Sequence, residues 1–296
     1  MNPPGFIHEG ESLAKHSTLG IGGPADFFTR IKTEGELLEA TEFARDERLD
    51  IFALGHGSNI LFSDKGFRGL VLKVCLRKMH FIDGEFWVDA GAAICNIAKL
   101  GEMVGFGGFE EFSGLPGTVG GAIFGNAGCF GAEFGQKVKA VKFFDGENFS
   151  ILKTESCVLP PFSYRHSIFK EHPGWIMISA CLAFKRCDSF VVAGKNQEIL
   201  TRRRSGQPRA KNAGCIFKNP LRCGMRISAG KLIDGAGLKG KRVGNAEISP
   251  VHANFFVNLG GAKASDFVEL IKLAKGKVFE EFNVILEEEI IRVGEF

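Results

Sequence analysis

The chain is poor in the aromatic residues that carry a polar group. It has one tyrosine, Tyr164, and two tryptophans, Trp87 and Trp175, among 296 residues. It also lacks any C-x-x-C pair. Cys75, Cys95, Cys129, Cys157, Cys181, Cys187, Cys215 and Cys223 are scattered, several inside apolar runs where free buried thiols sit. That excludes a disulfide framework and a cysteine-bound zinc module. The seven histidines add no ligand spacing, so no metal is expected. No apolar run approaches the ~20 residues of a membrane span. The opening M-N-P-P-G-F-I-H-E-G has neither the basic start nor the apolar core of a signal peptide. A cytoplasmic location with reduced thiols is the expectation. Nor does one sign of charge prevail: 37 basic and 34 acidic side chains give +3. So balanced a chain argues against nucleic-acid and membrane partners, and permits a small anionic ligand held by a few local charges.

What is abundant is glycine, 39 residues against a background of roughly 7%, and phenylalanine, 29 residues. Many backbone positions therefore need positive φ or close approach. A hydrophobic share of 45% is ample for a core, and the length predicts two or three packed units. Apolar spacing predicts helices over 34–49, 94–104, 195–204, 228–236 and 264–282. Strands are expected over 50–54, 70–74, 86–90, 138–144, 175–184, 253–258 and 284–291. Between Gly105 and Gly135 runs a glycine-dense segment too long for an ordinary loop, and long structured loops are usually functional. The basic run Lys195–Arg204, followed by turn-rich sequence, marks a boundary near 190–200.

Two familiar nucleotide patterns fail. Gly20–Ala25 matches G-x-G-x-x-A, but no strand precedes it and a proline with an extended run replaces the helix. Gly224–Lys231 is one residue too long for a Walker loop and is followed by leucine. More promising is Gly55-His56-Gly57-Ser58-Asn59-Ile60-Leu61, where a buried strand runs into glycines. Successive N–H groups in such a turn form an anion nest, although a plain tight turn fits the same residues. The run Ser113-Gly114-Leu115-Pro116-Gly117-Thr118-Val119-Gly120-Gly121, continuing to Asn126-Ala127-Gly128, suits a backbone laid against a flat ring or a phosphate.

Taken in order, S-T-L-G-I-G-G-P-A-D-F-F (17–28), G-H-G-S-N-I-L-F-S-D-K-G-F-R-G (55–69), S-G-L-P-G-T-V-G-G-A-I-F-G-N-A-G (113–128), F-S-Y-R-H-S-I-F-K (162–170), N-A-G-C-I-F-K-N-P (212–220) and S-A-G-K-L-I-D-G-A-G-L-K-G (228–240) resemble the UDP-N-acetylenolpyruvoylglucosamine reductase family. Any one motif is moderately specific; six in order over nearly the whole chain are very specific. The resemblance implies an α+β fold: a two-part FAD-binding domain of the vanillyl-alcohol-oxidase (PCMH) type plus a smaller α+β substrate-binding domain. The parts fall at 1–75, 76–195 and 196–296, with a C-terminal strand returning towards the flavin. It implies a monomer with non-covalent FAD, in which NADPH reduces UDP-N-acetylglucosamine enolpyruvate to UDP-N-acetylmuramate for peptidoglycan synthesis.

Carried over residue by residue, Gly55–Leu61 cradle the FAD diphosphate, while Ser113, Gly114, Pro116, Gly117, Thr118, Gly120, Gly121, Asn126, Ala127 and Gly128 line the flavin. Hydride addition to the vinyl carbon builds an enolate, which needs a fixed cation and an acid. The family's arginine falls on Arg165, and a planar, always-charged guanidinium suits a carboxylate enolate. The proton donor falls on Cys215, where many relatives carry serine. A thiol, with an ordinary pKa of about 8.5, is mostly protonated at neutral pH and a stronger acid than a hydroxyl. Tyr164, Lys218 and Asn219 fall at substrate contacts. The third catalytic group falls on Glu289 within Leu286–Gly294, with Glu288 a competitor because the tail's arginine comes one place late and a glutamate replaces the usual proline. Gly206 stands where relatives often carry lysine, leaving Arg203, Arg204, Arg209 or Lys211 for the substrate diphosphate. With Tyr164 as sole tyrosine, the chain resembles the shorter subtype without a tyrosine-bearing lid. Two other functions stay open: a sugar or alcohol oxidase with His56 as covalent flavin anchor, and a non-catalytic UDP-sugar binder.

Overall fold

The structure is a computed structural model that describes residues 3–157 and 161–296. Its contacts divide the chain into two units. One comprises Met1–His8, Phe28–His56 and Gly69–Arg203; the other comprises Glu9–Phe27, Gly57–Arg68 and Arg204–Phe296.

In the first unit, helix α1 (Glu34–Asp46) starts at a capping box in which Thr33 and Glu36 exchange side-chain and backbone hydrogen bonds. It buries Leu37, Ala40, Phe43 and Ala44. It ends three residues before the predicted Leu49, because Arg48 turns the backbone to φ 55°. The strand Ile51–Leu54 then runs parallel to Phe67–Val74, pairing Ile51 with Leu70 and Leu54 with Lys73. A second sheet has the antiparallel order Phe149–Lys153, Val138–Phe144, Ile176–Leu182, Glu85–Asp89, Met79–Ile82. Strand alternation sends Phe86, Val88, Val141, Ala180 and Leu182 to one face, where they pack with helices α2 (Ile94–Val104) and α3 (Val119–Phe124). Phe106, Phe109, Phe112, Phe134 and Phe169 complete that core. Phenylalanine buries as much surface as tyrosine without a hydroxyl that needs a partner, so the aromatic bias of the sequence serves this core.

The glycine-dense segment becomes turns around the short α3. Its backbone is pinned to the second sheet: Val119 N–H donates to the Ala92 carbonyl at 2.9 Å and Gly120 N–H to Ala90 at 2.8 Å. The basic helix is longer than predicted; α4 spans Ser189–Gly206 and buries Val192, Asn196, Ile199 and Arg203.

The second unit is a four-stranded antiparallel sheet, in the order Lys211–Cys215, Phe255–Asn258, Ala246–Ile248, Arg242–Val243. Helices α5 (Ala229–Gly235) and α6 (Ala264–Phe282) belong to the same core. Phe267, Leu270, Ile271, Ala274 and Val278 repeat at helical spacing and pack with Ile248, Phe256 and Phe217. The strand expected over 284–291 is not regular. Glu289 N–H and Ile290 N–H both donate to the Ile216 carbonyl, at 2.8 and 3.3 Å, which breaks the ladder. What forms is one bridge between Phe217 and Glu288, then a strand Ile291–Val293 parallel to Ile60–Phe62. Among the described residues no helix is long and apolar enough to cross a membrane.

Candidate active site

The two glycine motifs meet in the first unit. A Cβ on Gly55 would lie 2.5 Å from Thr118 Oγ1, so only glycine permits this approach. The adjacent His56 makes a hydrogen bond with the Gly117 backbone. Surrounding protein desolvates the imidazole and lowers its pKa; the Gly117 bond opposes that shift. Gly114 and Gly117 hold φ 70° and 145°. Thr118 caps α3, its hydroxyl accepting from Gly121 N–H at 3.3 Å.

The same loop holds the arginine hairpin. Phe162–Ser163 pair with His166–Ser167, leaving Tyr164 and Arg165 as a two-residue connection. Arg165 has φ 56°, a region where turns use glycine or asparagine; for other residues it costs about 1–2 kcal/mol. Asn126, 1% exposed, ties the hairpin down: its amide donates to the Ser163 carbonyl at 2.7 Å and to Glu133 at 2.9 Å, while its oxygen accepts from Gly135 N–H. Ser167 Oγ donates to the Phe124 carbonyl at 2.7 Å, and Lys170 Nζ to the Arg165 carbonyl at 2.8 Å. The guanidinium lies 5.7 Å from the Tyr164 ring, and Nη1 lies 3.3 Å from where a Gly128 Cβ would stand. Arg165 is thus laid against Gly128. Asn126, expected along the flavin, has its side chain committed to protein partners.

In the second unit the rest of the first glycine motif is bound to the C-terminal tail. Asn59 Nδ2 donates to the Glu289 carbonyl at 2.9 Å, and Ile291 N–H donates to the Asn59 carbonyl at 3.0 Å. Gly57, at φ 65°, presses on His16: a Cβ there would sit 2.2 Å from its carbonyl oxygen. The tail in turn pairs with the cysteine segment. Lys218 N–H donates to the Glu287 carbonyl, Phe217 bridges Glu288, and Glu289 N–H reaches Ile216. Cys215 and Glu289 therefore lie on adjoining segments in fixed register.

The structure separates the glutamates. Glu288 takes a fork from Arg292 Nε and Nη2 at 2.7 and 2.8 Å and a third bond from Lys275 at 2.6 Å. Burial pushes its carboxyl up, but those bonds outweigh burial and hold it below the ordinary range. Glu287 pairs with Lys218 at 3.2 Å. Asn219 Oδ1 accepts from Ala229 N–H at 3.0 Å, at the start of α5.

Two positioning residues escaped the sequence reading. Asn254, 2% exposed, brackets Phe217, accepting from its N–H at 2.9 Å and donating to its carbonyl at 2.8 Å. Its signal was a polar residue interrupting the apolar run Ala253–Val257. Thr18 Oγ1 donates to the Asn212 carbonyl at 2.7 Å and to Gly57 at 3.3 Å, so one hydroxyl joins the first glycine motif to the cysteine strand. Thr18 lies in the S-T-L-G-I-G-G-P-A-D-F-F motif (17–28). Arg203 also changes role: only 7% exposed, it is bound to the backbone of the second glycine loop through Nε to Ser113 at 2.7 Å and Nη2 to Glu111 at 3.1 Å.

Loops closed this tightly by glycine, with backbone at their surface, fit the diphosphate and ring of a flavin. The class of protein so defined is an α+β flavoenzyme, an FAD-binding domain joined to a smaller α+β domain. Comparison with known proteins agrees. The FAD binding domain family matches residues 25–151, and the C-terminal domain of UDP-N-acetylenolpyruvoylglucosamine reductase matches 207–293. The enzyme of that name from Caldanaerobacter subterraneus is 37% identical over 98% of this chain and 95% of its own. That from Chloroflexus aggregans is 35% identical over 97% of each. The crystal structure of UDP-N-acetylenolpyruvylglucosamine reductase from Thermus caldophilus matches with TM-score 0.82 and 37% identity, over 98% of this chain and all of that one. The chain belongs to the UDP-N-acetylenolpyruvoylglucosamine reductase family, and is an FAD-dependent oxidoreductase.

Proposed function

We propose that this enzyme uses NADPH to reduce UDP-N-acetylglucosamine enolpyruvate to UDP-N-acetylmuramate, a cytoplasmic step of peptidoglycan synthesis, and works as a monomer. The observation that carries the reading is the pairing of the Cys215 segment with the Glu289 segment, an acid and a carboxylate on adjoining backbone. The chemistry that FAD supplies when bound is hydride transfer from NADPH to the vinyl carbon. The remaining demand is for charge and a proton. Arg165 faces the carboxylate as negative charge grows on it. Cys215 gives its proton to the α-carbon, and the thiolate recovers one from water. Glu289 completes the constellation; Glu288, tied by Arg292 and Lys275, does not compete.

Gly55–Leu61 hold the FAD diphosphate and the Ser113–Gly128 set lines the ring. Tyr164, Lys218 and Asn219 face the substrate. Arg203 serves the glycine loop, leaving Arg204, Arg209 and Lys211 for the substrate diphosphate. Residues 1–75 and 76–195 form the FAD-binding parts, and 196–296 the substrate-binding domain.

An anaerobic visible spectrum tests this. The yellow protein should bleach with NADPH and recolour only on adding the enolpyruvyl sugar. Recolouring in air alone, with flavin still attached after denaturation, would establish the oxidase with its His56 anchor. A protein that stays colourless with FAD and only binds UDP-sugars would be the non-catalytic binder.

A further inference from the structure

The face of α4 that carries Asn196 and Arg203 is built into the second glycine loop. These residues stand two helical turns apart on one face. Arg203 holds the Ser113 and Glu111 carbonyls. Asn196 accepts from Ser113 Oγ at 2.6 Å, and its amide is anchored to the Ala98 carbonyl and Glu102, each at 3.1 Å. Between them the helix presses on Gly114: a Cβ there would lie 2.8 Å from Leu200 Cδ2 and 3.3 Å from Arg203 Cδ. Farther along the chain, beyond Gly128, Phe130 stacks under Arg202 and Arg203, with guanidinium carbons 4.6 and 4.9 Å from the ring centre. The loop is thus gripped where it begins, and the chain that leaves it is held again at Phe130.

We propose that Arg203 and Asn196 are positioning residues for the flavin, setting the curvature of Ser113–Gly121 so that its backbone meets the cofactor without reorganisation. A guanidinium suits the task because its planar fork bonds two carbonyls at once, and lysine offers a single point donor. The inference rests on assigning Ser113–Gly121 to the flavin. It gives a cation in a basic helix a structural partner in place of a substrate phosphate.

The test is FAD titration of the apoprotein by fluorescence, alongside its circular dichroism. Arg203→Met should weaken FAD binding about 10- to 100-fold, as expected for losing two charged hydrogen bonds. Arg203→Lys should fall between, and Asn196→Ala should lose about 3- to 10-fold. Lys195→Gln, which removes one exposed positive charge from the same helix, should change nothing. If Arg203→Met does not fold, Arg203→Lys and Asn196→Ala decide the matter alone. A folded Arg203→Met that binds FAD within twofold of the wild type overturns the proposal. So does a raised KM for the UDP-sugar with FAD affinity intact, which would return Arg203 to the substrate.

Gly121→Leu keeps the two questions apart. Gly121 is exposed, and a Cβ there meets only Thr118 Oγ1 at 3.5 Å, an ordinary contact, so the substitution is aimed at the space a flavin on this loop would take, with circular dichroism checking the fold. If Gly121→Leu abolishes FAD binding while the Arg203 variants leave it intact, the brace is wrong. If neither changes it, the loop assignment is wrong and the brace falls with it.

Discussion

Arg165 and the Cys215–Glu289 pair are held by opposite means. Arg165 stands on a two-residue hairpin connection at φ 56°, a local device written in nine consecutive residues. Cys215 and Glu289 lie on adjoining segments only because two distant stretches pair; Lys218 and Glu287 in that pairing are 69 residues apart. The first arrangement stores strain in one residue and relies on Asn126 to hold it. The second stores none locally, and depends on register. A local device fails residue by residue, whereas a register fails as a unit, because a one-residue slip exchanges the faces.

The largest expected effect breaks the local side. Arg165→Gly should lower kcat about 10³-fold, the loss seen when one preorganised stabiliser of developing charge is removed. Its thermal midpoint should stay within a few degrees of the wild type, because releasing about 1–2 kcal/mol of left-handed strain offsets the lost side-chain contacts and glycine's extra unfolded-state freedom. A midpoint falling well beyond that, measured by calorimetry, would mean that the side chain serves the fold.

Next in size is Cys215→Ala, expected to cost about 10²–10³-fold in turnover while NADPH still bleaches the flavin at the normal rate. Cys215→Ser should keep part of the activity, since a hydroxyl occupies the same place as a weaker acid. Unchanged turnover in Cys215→Ala, followed by stopped flow, would remove the thiol from the acid role. The same measurement sharpens the register: Glu289→Gln should lose about 10²-fold, and Glu288→Gln less than about fivefold.

Asn254→Ala should cost about 2–3 kcal/mol in denaturant unfolding, because it strips both hydrogen bonds from the buried Phe217 backbone. It should also slow the product-forming half-reaction more than flavin reduction, since it loosens the cysteine segment alone. Equal slowing of both halves would count against that placement.

The same contrast explains what could be read from the sequence. Helix α2, helix α6 and the strand Val138–Phe144 follow from apolar spacing to the residue, while the proposed roles of Arg165, Cys215 and the glycine loops rest on contiguous motifs. The tail did not. Val284–Ile290 has strand composition, yet its geometry is decided by Ile216, whose carbonyl accepts two successive N–H groups. No local pattern announces that. Nor does composition distinguish Arg203 from Arg204, since one faces Ser113 and the other is exposed only because of their phase on α4.

The smallest effect concerns how the register is kept. In this chain Glu288 and Arg292 meet in one fork, with Lys275 as third partner. They read as a coupled pair in which each is the other's partner. Because the carboxyl is held below its ordinary value in the folded state, its contribution is fully present above the unfolded glutamate pKa of ~4.3 and is lost as pH falls through the lower folded value. Glu288→Gln should therefore cost about 1 kcal/mol at neutral pH, a figure discounted for partial exposure, and should flatten the fall in stability on the acid side of pH ~4. Arg292→Gln should cost a similar amount, and the double variant less than the sum of the two, since either change alone already breaks the fork. Additive losses, with an acid limb as steep as in the wild type, would show that Glu288 and Arg292 are independent and that the tail's register is kept by the Asn59 and Ile216 backbone bonds alone.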